Sequence, residues 1–306
     1  MEDVLSEALA SFDADSAVDT VRRVLELTPL AGAELVLLRP PADNAVIAVP
    51  EAGVVARVGA ALSHRDRLHR ELELASWLAE RGIDAVSPAP SPPTAQLLQA
   101  DGRIVTWWRY LPSAERGSAE DIGRLLAQLH EQRPPWPHLP QLDPWDRVAA
   151  QIAAAERGLP AEDVALLRQH WSGLQQRWAR SRWPREPQVV LHGDIHQGNT
   201  LVYDGRVYLL DFEDARRGPR QWDVASVIGS RQLGWLSQAE FDRFTIAYGQ
   251  DHRLDREVDL LVDISLFRRT CWYASRVGRE PAVIHDVRHR IATLADPTLP
   301  RHWRKG

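Results

Sequence analysis

Cysteine and lysine are almost missing from this chain. Cys271 is the only cysteine in 306 residues, which excludes an intrachain disulfide. Lys305 is the only lysine, so any task usually given to a buried lysine falls here to arginine, which keeps its charge and can bridge two oxygens at once. No run of 18 apolar residues occurs, so no spanning helix is expected. The start, Met1-Glu2-Asp3-Val4, lacks the basic residues and apolar core of a signal peptide, and a cytoplasmic location is the expectation. A formal net charge of -5 gives no sign of a nucleic-acid or anionic-membrane partner. What is present is ordinary for a globular protein: 44% hydrophobic and 26% charged residues, in a length that suits one large domain or two lobes. Tryptophan, with 12 copies, is the one excess.

Apolar spacing predicts a helix over residues 2–28, ended by Pro29, then three short strands at Glu34–Leu38, Ala45–Val49 and Val54–Val58. A helix over Ser63–Arg81 follows, stopped by Gly82. Ala95–Gln99 and Arg103–Trp108 flank Ala100-Asp101-Gly102, a hairpin signal. Tyr110–Gly117 reads as a linker, and Ser118 opens a helix to His130, with Asp121 placed for a capping box. Further helices are predicted at Trp145–Glu156, Ala161–Arg180, 221–233, 237–249, 256–278 and 281–295, before a basic tail. The boundary falls near 109–112: a mixed lobe over 1–110, with an antiparallel sheet and a helix, then a larger, mostly helical lobe over 111–306.

Chemistry concentrates in one stretch. Val189-Val190-Leu191 runs into His192-Gly193-Asp194-Ile195-His196-Gln197-Gly198-Asn199, and Val207-Tyr208-Leu209-Leu210 into Asp211-Phe212-Glu213. Each acidic tip follows an apolar run, a layout that holds polar groups on rigid supports. Transfer of a terminal phosphoryl group needs metal ions on the phosphates, a carboxylate near the acceptor hydroxyl and cations on the phosphate oxygens. Asp194, Asn199 and Asp211 supply one base and two oxygen ligands suited to Mg²⁺, at the spacing of a protein-kinase catalytic loop followed by its metal-binding Asp-Phe pair. His192 and His196 flank an Asp without cysteine partners, which argues against zinc.

On these motifs the chain resembles the aminoglycoside-phosphotransferase and choline-kinase-like group, small-molecule kinases with the protein-kinase fold. The likeness runs from about Asn44 to Asp223. It implies an α+β, bilobal kinase fold. It implies ATP, or alternatively GTP, with Mg²⁺, and a small-molecule hydroxyl acceptor such as an aminoglycoside-like antibiotic, a sugar or an amino alcohol. By the same resemblance Asp194 is the catalytic base, Asn199 and Asp211 hold Mg²⁺, and Asp223 braces the catalytic loop. His196 joins the candidate catalytic set, as a γ-phosphate contact, a partner of a metal-bound water or a packing residue of the loop. The main chain of Arg109 and Leu111 faces the adenine edge, with Trp108 beside it.

The phosphate side departs from the kinase pattern. The third strand reads Val54-Val55-Ala56-Arg57-Val58, so Arg57 replaces the usual lysine as phosphate ligand, and Glu71 in the next helix is its partner, with Glu73 in reserve. Arg39-Pro40-Pro41-Ala42-Asp43-Asn44, between the first two strands, contains no glycine, so no glycine-rich phosphate loop is expected there. Acceptor specificity is expected after residue 213. Glu213 and Asp214 follow the metal-ligand candidate directly, and Asp255, Glu257, Asp259 and Asp263 form an acidic run that faces either a cationic acceptor or solvent. Trp222, Trp235, Trp272 and Tyr273 suit either an ammonium or sugar contact or core packing. Two other readings stay open: a nucleotide-binding pseudokinase or regulatory protein without transfer activity, and a protein kinase. The short distance from Asp211 to Asp223 leaves the latter little room for an activation segment. Monomer and homodimer both fit.

Overall fold

A computed structural model describes residues 13–39, 44–59, 65–133, 139–251, 253, 255–296 and 298–304. Its contacts divide the chain into two units, Met1–Arg116 with Asn199–Glu213, and Gly117–Gly198 with Asp214–Gly306. The division falls after Arg116 rather than at 110, and it returns 199–213 to the first unit, because a strand at Glu115–Arg116 pairs with Thr200–Tyr203. The segment expected as a linker therefore ends in a strand.

The first unit is a five-stranded antiparallel sheet with helices against it. Helix α1, Ala14–Leu25, starts at a reciprocal capping box between Asp13 and Ser16, so its start lies inside the predicted 2–28; residues 2–12 lie outside the described ones. Strands β1 (Val36–Arg39), β2 (Asn44–Val49), β3 (Val54–Gly59), β4 (Leu97–Ala100) and β5 (Arg103–Arg109) lie in the order β1-β2-β3-β5-β4. Asp101 and Gly102 both take positive φ at the β4–β5 turn, the conformation that two-residue hairpins require. Ala17, Val21 and Leu25 of α1 share a core with Ile47, Val49, Ala56, Val58, Val105 and Trp107 of the sheet. Helix α2, Arg65–Glu80, buries Leu68, Leu72, Ala75 and Leu78 along one stripe, and Glu71 lies on that stripe. Strand β6 (Glu115–Arg116) joins β8 (Thr200–Tyr203), which turns through Asp204-Gly205, again both at positive φ, into β9 (Arg206–Leu209).

The second unit is mostly helical. Helix α3 (Ala119–His130) opens on the expected Ser118–Asp121 capping box. Helix α4 (Val148–Ala155) starts later than predicted, because Arg147 sits at φ 67 and Asp143 caps the Trp145 N–H ahead of it. Helix α5 spans Ala161–Arg180, and the short strand β7 (Val189–Leu191) pairs antiparallel with β10 (Arg216–Gly218). Helices α6 (Gln221–Gln232), α7 (Gln238–Tyr248), α8 (Val258–Ala274) and α9 (Ile284–Ala295) complete the described elements. Leu261, Ile264, Phe267 and Cys271 put one face of α8 in the core. The basic tail is tied down: Trp303 is buried and donates to Thr293 Oγ1, while its carbonyl accepts from Trp235 Nε1. The acidic run is in part a surface pairing, with Asp263 held by an exposed Arg177. The fold class is α+β, an N-terminal antiparallel sheet followed by a helical part. Among the described residues no helix is long and apolar enough to cross a membrane.

Candidate active site

In the first unit the polar residues are organised by one buried carboxylate. Glu71 sits on the apolar stripe of α2 and is 1% exposed, so it must be satisfied by the protein. Both its oxygens accept from Arg57 Nη1 at 2.9 Å, and Oε1 also accepts from the Phe212 N–H at 3.0 Å. The other terminal nitrogen of Arg57 turns to the β9 tip, donating to Asp211 Oδ1 at 3.0 Å and Glu213 Oε1 at 2.5 Å. Asn44, at the head of β2, donates to the same Glu213 oxygen at 3.2 Å. Arg57 thus meets three carboxylates. Burial alone would lower its guanidinium, but Asp211, Glu71 and Glu213 outweigh it and hold it above its ordinary value. Burial pushes the Glu71 carboxyl up, against the pull of Arg57 and with help from the Asp211 and Glu213 charges.

The β8–β9 hairpin explains why Asn199 and Asp211 belong together. Thr200 pairs with Leu209 at its base, and the Leu210 N–H donates to the Asn199 carbonyl at 3.1 Å. Residues twelve apart in sequence thereby flank one hairpin base. Asn199 is buried, and Asp211 takes φ 68, the left-handed region that non-glycine residues enter at a cost. At the end of β5, Trp108 is buried and donates to Thr106 Oγ1 at 3.0 Å. The Arg109 N–H donates to the Ser87 carbonyl at 3.0 Å, which limits any further main-chain contact there to its carbonyl. The Leu111 N–H has no protein acceptor among the described residues.

In the second unit the catalytic-loop candidate hangs from Asp223. Its carboxylate accepts from the main-chain N–H of His192 at 2.8 Å and of Gly193 at 2.9 Å. Nε2 of His130 lies 3.0 Å from Asp223 Oδ2, and Nδ1 of the same ring lies 2.8 Å from the Tyr248 hydroxyl. Burial raises the Asp223 carboxyl, but the bond and charge of His130, with His192 and the Gly193 amide, more than offset this and hold it below its ordinary value. Past this anchor the loop is open: the Asp194 and His196 side chains are 53% and 43% exposed, with Nε2 3.8 Å from the Asp194 carboxylate. Nδ1 of His196 accepts the Gly198 N–H at 2.9 Å, which leaves the ring proton of the neutral form on Nε2, facing Asp194.

Two consequences are measurable. Gly193 has φ 88, and a Cβ there would lie 1.9 Å from the Asp214 carbonyl oxygen. Gly193→Ala should therefore lower unfolding stability by about 4 kcal/mol in urea denaturation; a loss under about 1 kcal/mol would show that the loop relaxes freely. Asp223→Asn removes a carboxylate whose folded pKa is depressed. The stability it contributes is full above its unfolded pKa and disappears as pH falls through the folded value, so the gap between wild type and variant should be largest above pH of about 4 and close below it. A gap constant from neutral to acid pH would contradict this.

Some of this was not visible in the sequence. Glu213 and Asp214 are adjacent in sequence, yet Glu213 turns to Arg57 while Asp214 pairs with Arg147 in the second unit. His130 carries no local signal, since its partners lie 93 and 118 residues away. Among the described residues Glu73 makes a surface contact with His69, and Glu71 is the partner of Arg57.

Comparison with known proteins identifies the family and the fold. The model of the phosphotransferase enzyme family matches residues 36–260. Methylthioribose kinase of Escherichia coli is 27% identical over 131 residues, 37% of this chain but only 30% of that protein. An amicoumacin kinase solved with AMP-PNP, Ca²⁺ and Ami superposes with a TM-score of 0.70 at 15% identity, covering 98% of each chain. A choline/ethanolamine kinase family protein from Mesorhizobium loti gives 0.62 at 18% identity, over 94% of this chain and 97% of that one. The family model spans most of the chain, including both acidic tips and the residues that hold them: this protein belongs to the phosphotransferase enzyme family.

Proposed function

We propose that the protein transfers the γ-phosphoryl group of ATP to a hydroxyl of a small molecule. The acceptor oxygen attacks the γ-phosphorus, the bond to the β-γ bridging oxygen breaks, ADP leaves, and the hydroxyl proton passes to the Asp194 carboxylate. The observation that carries this is the hairpin base, where Asn199 and Asp211 come together within reach of an arginine held by a buried glutamate. Arg57 is the phosphate ligand, Glu71 fixes its direction, the Leu111 N–H and the Arg109 carbonyl take the adenine edge, and Trp108 lies behind them. GTP is the alternative donor. The first lobe carries the nucleotide-phosphate contacts and the helical lobe the acceptor contacts.

Mg²⁺ suits the residues present. Three carboxylates meet one guanidinium, so the cluster has an excess of negative charge, and Asn199 and Asp211 offer oxygen donors only. Mg²⁺ takes few protein ligands and completes its shell with phosphate and water. When bound, Mg²⁺ neutralises charge on the phosphate oxygens. Arg57 then has phosphate oxygens as well as carboxylates to bridge, and Asp194 orients the hydroxyl.

The test is ADP release from Mg-ATP with aminoglycosides, choline, ethanolamine, hexosamines, methylthioribose, hydroxy acids and phosphorylated alcohols in turn. Release that depends on both Mg²⁺ and one acceptor is the expected result; nucleotide binding with no acceptor-dependent release across hydroxyl compounds of every charge would oppose transfer.

A further inference from the structure

Helix α8 carries two adjacent arginines that form no direct ion pair among the described residues. Arg268 and Arg269 are half-buried. Arg268 Nη1 donates to the carbonyls of Pro144 at 2.8 Å and Asp146 at 3.4 Å. Arg269 donates through Nη2 to Ser226 Oγ at 2.6 Å and carbonyl at 3.3 Å, and through Nη1 to Ser230 Oγ at 3.3 Å. Neutral oxygens fix the direction of a guanidinium without offsetting its charge. Neither residue forms an ion pair among the described residues, whereas nearby Arg147, Arg216 and Arg290 each have an aspartate. Nε of both, and Nη2 of Arg268, make no protein hydrogen bond among the described residues. Burial pulls both groups below their ordinary value; at Arg268 the charges of Asp214, Asp146 and Asp194 act in the opposite sense and that of Arg147 with burial, while at Arg269 Asp194 opposes burial and Arg290 adds to it.

The aromatic residues that suit an ammonium are already faced by the protein's own cations. Arg268 stands 5.7 Å from the Trp222 ring centroid, Arg269 5.4 Å from Trp235, Arg276 4.9 Å from Trp272 and Arg290 4.0 Å from Tyr273. An amine or quaternary ammonium placed there would meet guanidinium groups. A neutral polyol would leave two half-buried guanidinium groups without a direct ion-pair partner. A carboxylate or phosphate supplies what is missing, since guanidinium forks match both.

We propose that the acceptor is an anionic hydroxy compound whose carboxylate or phosphate group is bound by Arg268 and Arg269 beside Asp194. This rests on the phosphotransferase reading above. It is tested by calorimetric titration of the full chain with two matched series: glycerol, ethanolamine, D-glycerate and glycerol 3-phosphate, then D-glucose, D-glucosamine, D-gluconate and glucose 1-phosphate. In at least one series an acid or phosphate should bind at least about tenfold tighter than its neutral and amine counterparts. Arg268→Gln and Arg269→Gln should each erase that preference, with Arg268→Lys intermediate because it keeps the charge and loses the fork. The carboxylate and phosphate arms separate a hydroxy acid from a phosphorylated alcohol. Retained ATP binding shows that the variants are folded. Equal or tighter binding of the neutral or amine compounds, no binding in either series, or a preference that survives both glutamine variants overturns the proposal. An arginine-dependent preference without Mg-ATP-dependent ADP release from the preferred compound supports the anion site and overturns the transfer reading, so the two failures are distinguishable.

Discussion

Asp194→Ala removes phosphoryl transfer: kcat should fall by a factor on the order of a thousand, with ATP affinity nearly unchanged. The physical case starts from exposure. The Asp194 side chain is 53% exposed, on a loop whose rigidity comes from Asp223 holding the two preceding amides. Truncating it leaves that anchor in place, so the fold should lose little. Arg57, Glu71, Asn199 and Asp211 all belong to the first unit, and the residues assigned to the nucleotide stay intact. What the variant loses is the carboxylate proposed to orient the acceptor hydroxyl and take its proton. Single-turnover rates and nucleotide titration on one preparation separate the two effects. Retained turnover would remove Asp194 as the base, and lost nucleotide affinity would make its role structural.

Asp211→Asn should have the second-largest effect, with two readouts of opposite sense. Asparagine tolerates the left-handed backbone that Asp211 adopts at φ 68, so the turn should survive. The charge does not. Mg-ATP affinity should fall by a factor on the order of a hundred, because a hard cation loses an anionic oxygen ligand. Thermal stability in the absence of nucleotide should hold or rise, because one of three carboxylates crowded on Arg57 becomes neutral. A residue that weakens the empty protein and strengthens the complex is under functional constraint. Unchanged Mg-ATP affinity would end the metal assignment, and a large loss of stability would make Asp211 a structural partner of Arg57.

Much of the candidate site is local, and local features can be read. The hairpins follow from Asp-Gly pairs that accept positive φ. The Asp194-to-Asn199 spacing belongs to one loop, and Arg57 and Glu71 sit on consecutive elements whose periodicity is clear. The illegible parts depend on pairing over long range. The β6–β8 pairing that moves the unit boundary joins residues far apart in sequence, and two residues of strand give no periodicity to detect. Glu213 differs from Asp214 only in the unit it joins and the arginine it meets. The tryptophans could be placed on helices, but not the arginines that face them, because those contacts run between α6 or the chain after it and α8.

Phosphorus NMR of the full chain with Mg-ATP and the tightest-binding compound of the titration series tests phosphoryl transfer most directly. A phosphomonoester resonance should grow in step with ADP and stay absent without Mg²⁺ and with Asp194→Ala. ADP accompanied only by inorganic phosphate, or the same ester formed at an undiminished rate by Asp194→Ala, would contradict it.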